Sequence, residues 1–239
     1  AEDEAHRHVD DLFDWEDDDN VLSTLELFIQ NRKPGMVSIY FVRNSNTTDV
    51  GMASTPISSV IPAEYMAARW SCWVRTHDND TDIKFDDSEI GYTLTHELGH
   101  VLGNAHTHHP GNLYSLAQNG FDGDNAEVDP CHQEVVSRTQ LVSQSSNFCA
   151  FNRTKVKAEV NGDALSDTPA DPNTSWEREN GVDLKRVDAS TCVYTESGWG
   201  QEYFEDSNGT EWDPPTRNYM SYSVNACLSE FSNMQIGLM

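Results

Sequence analysis

Three histidines and a glutamate form the pattern with the most specific chemistry in this chain. His96, Glu97, His100 and His106 follow the spacing H-E-x-x-H-x-x-G-x-x-H. On a helix, residues four positions apart lie on the same face, so His96 and His100 can reach one metal ion. His106 reaches the same ion once the chain has turned. Three protein ligands and one open position are typical of a catalytic zinc site, whereas structural zinc sites are closed by a fourth ligand.

The residues around this pattern predict the helix that carries it. N-cap candidates occur at Asp86, Asp87 and Ser88. Apolar residues then recur at helical spacing, at Ile90, Leu94, Leu98, Val101 and Leu102. Gly103 can end the helix because glycine readily adopts a left-handed backbone conformation. We therefore expect a helix that begins near Asp86 and ends near Gly103.

Glu97 follows the first ligand directly and is the candidate general base. Zinc in such a site lowers the pKa of water towards neutrality and polarises a carbonyl group. Glu97 would accept the proton of that water and deliver it to the leaving amine, which is the chemistry of peptide-bond hydrolysis. His108 and His109 follow closely, but the G-x-x-H spacing selects His106 as the ligand and favours a surface role for the other two.

A second short pattern, Asn218-Tyr219-Met220-Ser221-Tyr222, lies far downstream of the histidines. A five-point zinc pattern followed by a methionine-bearing turn resembles the metzincin metallopeptidases. That resemblance implies that Met220 forms an apolar floor beneath the ligating imidazoles without binding metal. It also implies that Tyr222 donates a hydrogen bond to the oxyanion that forms during hydrolysis.

Within the metzincins, the chain resembles the pappalysin family. Three segments carry the likeness: the run Thr93-Leu94-Thr95-His96-Glu97-Leu98-Gly99-His100, the run Gly162-Asp163-Ala164-Leu165-Ser166-Asp167-Thr168-Pro169-Ala170-Asp171, and Cys227 with Phe231-Ser232-Asn233-Met234-Gln235. The likeness spans roughly residues 37 to 239. The acidic residues that precede it match no pattern of the family.

The resemblance implies an α+β fold of the metzincin type with two subdomains in one catalytic domain. Residues 1–106 would form the upper subdomain, a twisted mixed sheet with a backing helix and the active-site helix. Residues 107–239 would form an irregular lower subdomain with the Met-turn and a closing helix. The sequence itself predicts helices over 21–31 and 229–239 and strands over 37–42 and 69–75.

A calcium ion is the second metal that the resemblance implies. Asp163, Asp167 and Asp171 offer carboxylate oxygens at close spacing, with the carbonyl of Thr168 between them. The spacing alone favours a solvated acidic turn, but pappalysins bind calcium near this segment. A further acidic cluster, the weaker candidate, comprises Asp122, Asp124 and Asp129.

Four of the five cysteines lie in the second half of the chain. Two disulfides among four cysteines allow three pairings, and the sequence does not choose between them. The resemblance implies a Cys192–Cys227 disulfide and leaves Cys131–Cys149 as the other. Cys72 lies in an apolar run, and we expect it to be a buried free thiol on a strand.

The chain departs from the family at the substrate pocket. Family members that select arginine or lysine after the cleaved bond carry an aspartate five residues beyond the Met-turn methionine. Here that position is Asn225, whose neutral amide lacks the charge that attracts a guanidinium group. We therefore expect a less strictly basic preference.

Charge and hydropathy restrict the partners. The chain has 40 acidic and 15 basic residues and a formal net charge of −25, which disfavours binding to nucleic acid and to anionic membranes. It contains no apolar run of membrane-spanning length. We expect a secreted monomer that acts on protein or peptide substrates.

Two alternatives compete with this interpretation. One is a metzincin of another branch, which the D-T-P-A segment at residues 167–170 argues against. The other is a metzincin-like binding or adhesion module with weak catalysis. Such modules typically lose a ligand or the glutamate, whereas His96, Glu97, His100 and His106 are all present here.

Overall fold

The computed structural model describes residues 36–43, 50–53, 70–78, 83–108, 135–141, 156–159, 162–171, 177–179, 182–184, 187–195, 206 and 208–239. The chain divides into two compact units, Ala1–Gly103 and Asn104–Met239. The helix predicted over 21–31, the Cys131–Cys149 pair and the acidic cluster at Asp122, Asp124 and Asp129 lie outside the described residues. Among the helices that are described, none has the length and apolar character needed to cross a membrane.

The first unit contains a three-stranded mixed sheet. Its strands are β1 (Ser38–Val42), β2 (Gly51–Ala53) and β3 (Ser71–Arg75), in the order β1-β3-β2. β1 runs parallel to β3, and β2 runs antiparallel to it. β3 is paired on both edges, and all five of its residues are buried. The two predicted strands are thus confirmed, whereas β2 is a strand that the sequence analysis missed.

The predicted metal-binding helix is present as α1 (Asp87–Val101). Asp86 is its N-cap: its Oδ1 accepts hydrogen bonds from the backbone N–H groups of Ser88 and Glu89, at 2.8 and 2.9 Å. Glu89 completes a capping box by accepting from the Asp86 N–H at 3.1 Å. Beyond the last turn, Gly103 has φ +106°, which an L-residue rarely adopts. Both predicted ends of the helix are therefore confirmed.

The described part of the second unit has short elements joined by irregular chain. Strands β4 (Glu177–Glu179) and β5 (Val182–Leu184) pair antiparallel, and single 3₁₀ turns lie at Lys157–Glu159 and Asn225–Cys227. The closing helix, α2, spans Asn233–Leu238 and has Ser232 as its N-cap. It begins later than predicted because Ser229 and Glu230 pair through their backbones with Arg217 instead.

A disulfide joins Cys192 to Cys227, the pairing that the resemblance implied. The turn before Cys192 is organised by Asp188, whose Oδ1 accepts hydrogen bonds from the backbone and hydroxyl groups of Ser190 and Thr191. These bonds, that of the Ser190 hydroxyl first, lower the pKa of Asp188 to about 2. Disulfide and turn together hold the segment 187–195 against the chain that follows the Met-turn.

Candidate metal centre

The three predicted histidine ligands converge. The Nε2 atoms of His96 and His100 lie 3.1 Å apart, and one ring nitrogen from each of His96, His100 and His106 lies within 4.8 Å of the other two. Two nitrogens that share a tetrahedral zinc ion are about 3.3 Å apart, given Zn–N bonds of about 2.0–2.1 Å. The α1 pair therefore has the spacing that one ion requires.

The surroundings of these histidines also suit a metal ion. His100 is buried, whereas His96 and His106 are each half-buried. Within the described ranges, this is the one group of three or more His, Cys, Asp or Glu side chains close enough to share an ion. Three neutral imidazoles are a donor set for zinc and for related transition metals. The donor chemistry thus fits the predicted cofactor.

Glu97 lies on the same helix between the two ligands and is buried, with 6% of its surface exposed. Its charge also acts on Cys72, the second residue of β3. Burial first, and the charge of Glu97 second, raise the pKa of the Cys72 thiol to about 12. Cys72 therefore stays protonated, and the prediction of a buried free thiol on a strand is confirmed.

Met220 and Tyr222 lie at the Met-turn position of the second unit. Met220 is fully buried; its N–H donates to Asn218 Oδ1 at 2.8 Å, and its carbonyl accepts from the Thr107 N–H at 3.1 Å. The ring of Tyr222 is 4.5 Å from the ring of His106, edge to face. The turn therefore contacts the loop that carries the third histidine.

His108 contributes to this group of rings, which the sequence analysis did not anticipate. Its ring stacks on that of His106 at a centroid distance of 5.0 Å and lies 4.5 Å from the ring of Tyr222. The surface role favoured for His108 is only partly right, because the residue is half-buried. Its spacing, two residues beyond the third ligand, was the available signal. His109 lies outside the described residues.

The predicted calcium segment is present, and Asp163 is one of its buried carboxylates. Asp163 accepts hydrogen bonds from the Leu165 N–H, the Thr168 hydroxyl and the Gln235 amide, at 3.1, 2.9 and 2.9 Å. Burial raises the pKa of Asp163, while these hydrogen bonds oppose that rise. The Asp163 carboxylate is therefore buried and hydrogen-bonded, and the alternative of a solvated acidic turn does not describe it.

The other two aspartates contact different partners. Asp167 is exposed and accepts from the Ser232 hydroxyl and the Met234 N–H, at 2.9 and 2.8 Å. Asp171 is buried and accepts from the hydroxyls of Thr107 and Ser221. The described segment 162–171 contains Asp163, Asp167, Thr168 and Asp171. Each of its three carboxylates accepts hydrogen bonds from different residues. Calcium binding stays a prediction.

Asn225, the predicted pocket residue, begins the 3₁₀ turn Asn225–Cys227 and is exposed.

No protein-family model matches the chain, and no curated protein matches it. The family resemblance therefore depends on the motifs themselves. The geometry supports a coarser statement: this is an α+β chain in which three histidines lie close enough to hold a metal ion.

Proposed function

We propose that this chain is a zinc-dependent endopeptidase of the metzincin class, in its pappalysin branch, which hydrolyses internal peptide bonds of proteins. The observation that carries the proposal is the convergence of His96, His100 and His106 beside Glu97. The order of the motifs supports it, because a methionine-bearing turn follows the zinc helix. Three protein ligands leave a fourth position on a tetrahedral zinc ion for water or substrate.

The chain's own residues would divide the work as follows. His96, His100 and His106 would hold the zinc ion, which would supply Lewis acidity that lowers the pKa of water and polarises the scissile carbonyl. Glu97 accepts the proton of the attacking water on its carboxylate and returns it to the leaving amine. Because Glu97 is buried, its carboxylate is largely shielded from bulk water before substrate binds.

Tyr222 and the acidic surface would act on the substrate itself. The Tyr222 hydroxyl donates a hydrogen bond to the oxyanion that develops on the scissile carbonyl. Its ring packs against His106, so the position of that hydroxyl follows the position of the third ligand. A net charge of −25 favours approach of basic proteins and peptides. The Cys192–Cys227 disulfide is consistent with a secreted protein.

Casein digestion by the purified chain tests this proposal. We expect cleavage that a chelator stops and that added zinc restores. Glu97→Gln should retain zinc but lose turnover by about 10²- to 10⁴-fold, the usual contribution of a general base. Glu89→Gln is the matched control, because it makes the same change on the same helix and glutamine still completes a capping box.

Three results would contradict the proposal. The first is undiminished digestion by Glu97→Gln, and the second is undiminished zinc content in His106→Ala. The third is a chain that binds zinc and protein ligands without cleaving them, which would favour the binding-module alternative.

A further inference from the structure

A buried carboxylate connects the loop of the third histidine to the Met-turn. The hydroxyl of Thr107, the residue after His106, donates to Asp171 Oδ2 at 2.5 Å. The hydroxyl of Ser221, the residue after Met220, donates to the same oxygen at 3.1 Å. We call Thr107, Asp171 and Ser221 the Asp171 cluster.

Burial makes these hydrogen bonds consequential. The three residues of the Asp171 cluster are each at most 2% exposed. Burying a carboxylate costs free energy unless hydrogen-bond donors compensate for the lost water. Hydrogen bonds to a charged acceptor are stronger than those between neutral groups. A backbone bond from the Thr107 N–H to the Met220 carbonyl, at 3.1 Å, runs alongside. The loop and the turn are therefore joined by backbone and side-chain bonds together.

Gly162, at the other end of the segment 162–171 from Asp171, also lies close to Thr107. Gly162 has φ +60°, and a Cβ atom at that position would lie 2.5 Å from the Thr107 carbonyl oxygen. A clash with backbone cannot be relieved by a side-chain rotation, so residue 162 has to be glycine for this approach. Gly162 thus permits a close approach to the Thr107 carbonyl, and Asp171 accepts a hydrogen bond from the Thr107 hydroxyl.

We infer that Asp171 is a positioning residue for the third metal ligand, holding His106 through Thr107 and holding the Met-turn through Ser221. The inference rests on the proposed function, because it assigns the purpose of this contact to metal binding. Residues behind the metal ligands that fix their orientation typically change metal affinity by 10- to 100-fold when they are lost. The same bonds set where Tyr222 lies, because its ring packs on His106.

Zinc affinity of the intact chain, measured by competition with a chromophoric chelator, tests this role. We expect Thr107→Val, which removes the hydroxyl and keeps the shape, to raise the zinc Kd about tenfold or more. Ser221→Ala should act in the same direction, and the double variant should show less than the product of the two effects, since both act through Asp171. Cobalt(II) absorption spectra should change with them, reporting altered ligand geometry.

Thr216→Val is the matched control. Thr216, like Thr107, is a buried threonine with a hydrogen-bonded hydroxyl group. That hydroxyl donates to the Cys192 carbonyl at 2.6 Å rather than to Asp171. The variant should cost stability without changing the zinc Kd. All measurements are made in calcium-free and in calcium-containing buffer, because Asp171 is itself a predicted calcium ligand. Thr107 and Ser221 are not, so their variants test the positioning role separately from calcium binding.

A parental zinc Kd in both Thr107→Val and Ser221→Ala would overturn the inference, even if Asp171→Asn loses affinity in calcium buffer. If Thr107→Val does not fold, Ser221→Ala decides alone. A parent chain that binds no zinc would overturn the proposed function and this inference with it. Weakened zinc binding in the two hydroxyl variants, beside an unaffected Thr216→Val, supports it.

Discussion

Gly51 leaves open the space in which the Glu97 carboxylate lies. A Cβ atom at position 51 would be 2.7 Å from Glu97 Oε1 and 2.8 Å from Thr93 Cγ2. Gly51 cannot move away easily, because it is paired with Val74 at the edge of the sheet. The candidate base therefore depends on the absence of a side chain on β2, a dependence that no local motif around Glu97 reveals.

Gly51→Ala should displace the carboxylate and lower the rate of peptide hydrolysis. Displacements of about 1 Å can cost about 10²-fold in rate, and we expect a loss of that order in kcat with zinc content unchanged. Gly91→Ala is the control, since a Cβ there meets nothing within 4 Å. It should stabilise α1 by about 0.5–1 kcal/mol and leave kcat unaltered. Equal kcat in both variants and the parent would contradict the dependence of the Glu97 carboxylate on Gly51.

Asp188 should give the fold a pH dependence at the acid end. The folded pKa is about 2, against an ordinary value of 3.8. The folded carboxylate thus holds protons less tightly than the unfolded one, so its contribution is fully present above pH 3.8 and is lost as pH falls through about 2. Asp188→Ala should lower Tm at pH 7, and the gap from the parent should narrow between pH 4 and pH 2. A constant gap would show that the carboxylate charge is not the cause.

Local features of the structure could be predicted from the sequence. The ends of α1 follow from a capping box and a glycine, both within a few residues of the helix. The histidine spacing needs only helix geometry and one turn. β1 and β3 are apolar enough to be recognised alone, whereas β2 has three residues and depends on its pairing with β3.

The rest depends on contacts between residues far apart in sequence. Thr107 and Asp171 are 64 positions apart, and nothing in either local pattern predicts their hydrogen bond. The acidic segment looked solvated because carboxylates usually are. Asp163 is buried instead, and one of its three hydrogen-bond donors is Gln235, 72 residues further along. A pattern read along one chain contains no information about such partners.

Removing the metals and adding them back one at a time should distinguish the effect of zinc from that of calcium. If calcium binds at Asp163, Asp167 and Asp171, chelator-treated protein given zinc alone should regain less Tm than protein given both ions, because a ligand of the folded state stabilises it. Full recovery of Tm and activity with zinc alone would contradict the calcium prediction. The hydrogen bonds to the three carboxylates would then be sufficient for the segment.

Asn225→Asp should convert the substrate preference of the proposed enzyme. A carboxylate at this exposed position would attract a basic side chain after the cleaved bond, and a hydrogen bond to a charged group contributes about 1.5–3 kcal/mol. We expect kcat/KM for substrates with arginine there to rise roughly tenfold or more relative to leucine. Ser229→Asp adds the same charge at another exposed position and should leave that ratio unchanged. Peptide-library cleavage with mass-spectrometric readout measures both. Strict cleavage before arginine by the parent chain would contradict the role given to Asn225 and would point to another carboxylate, such as Glu230.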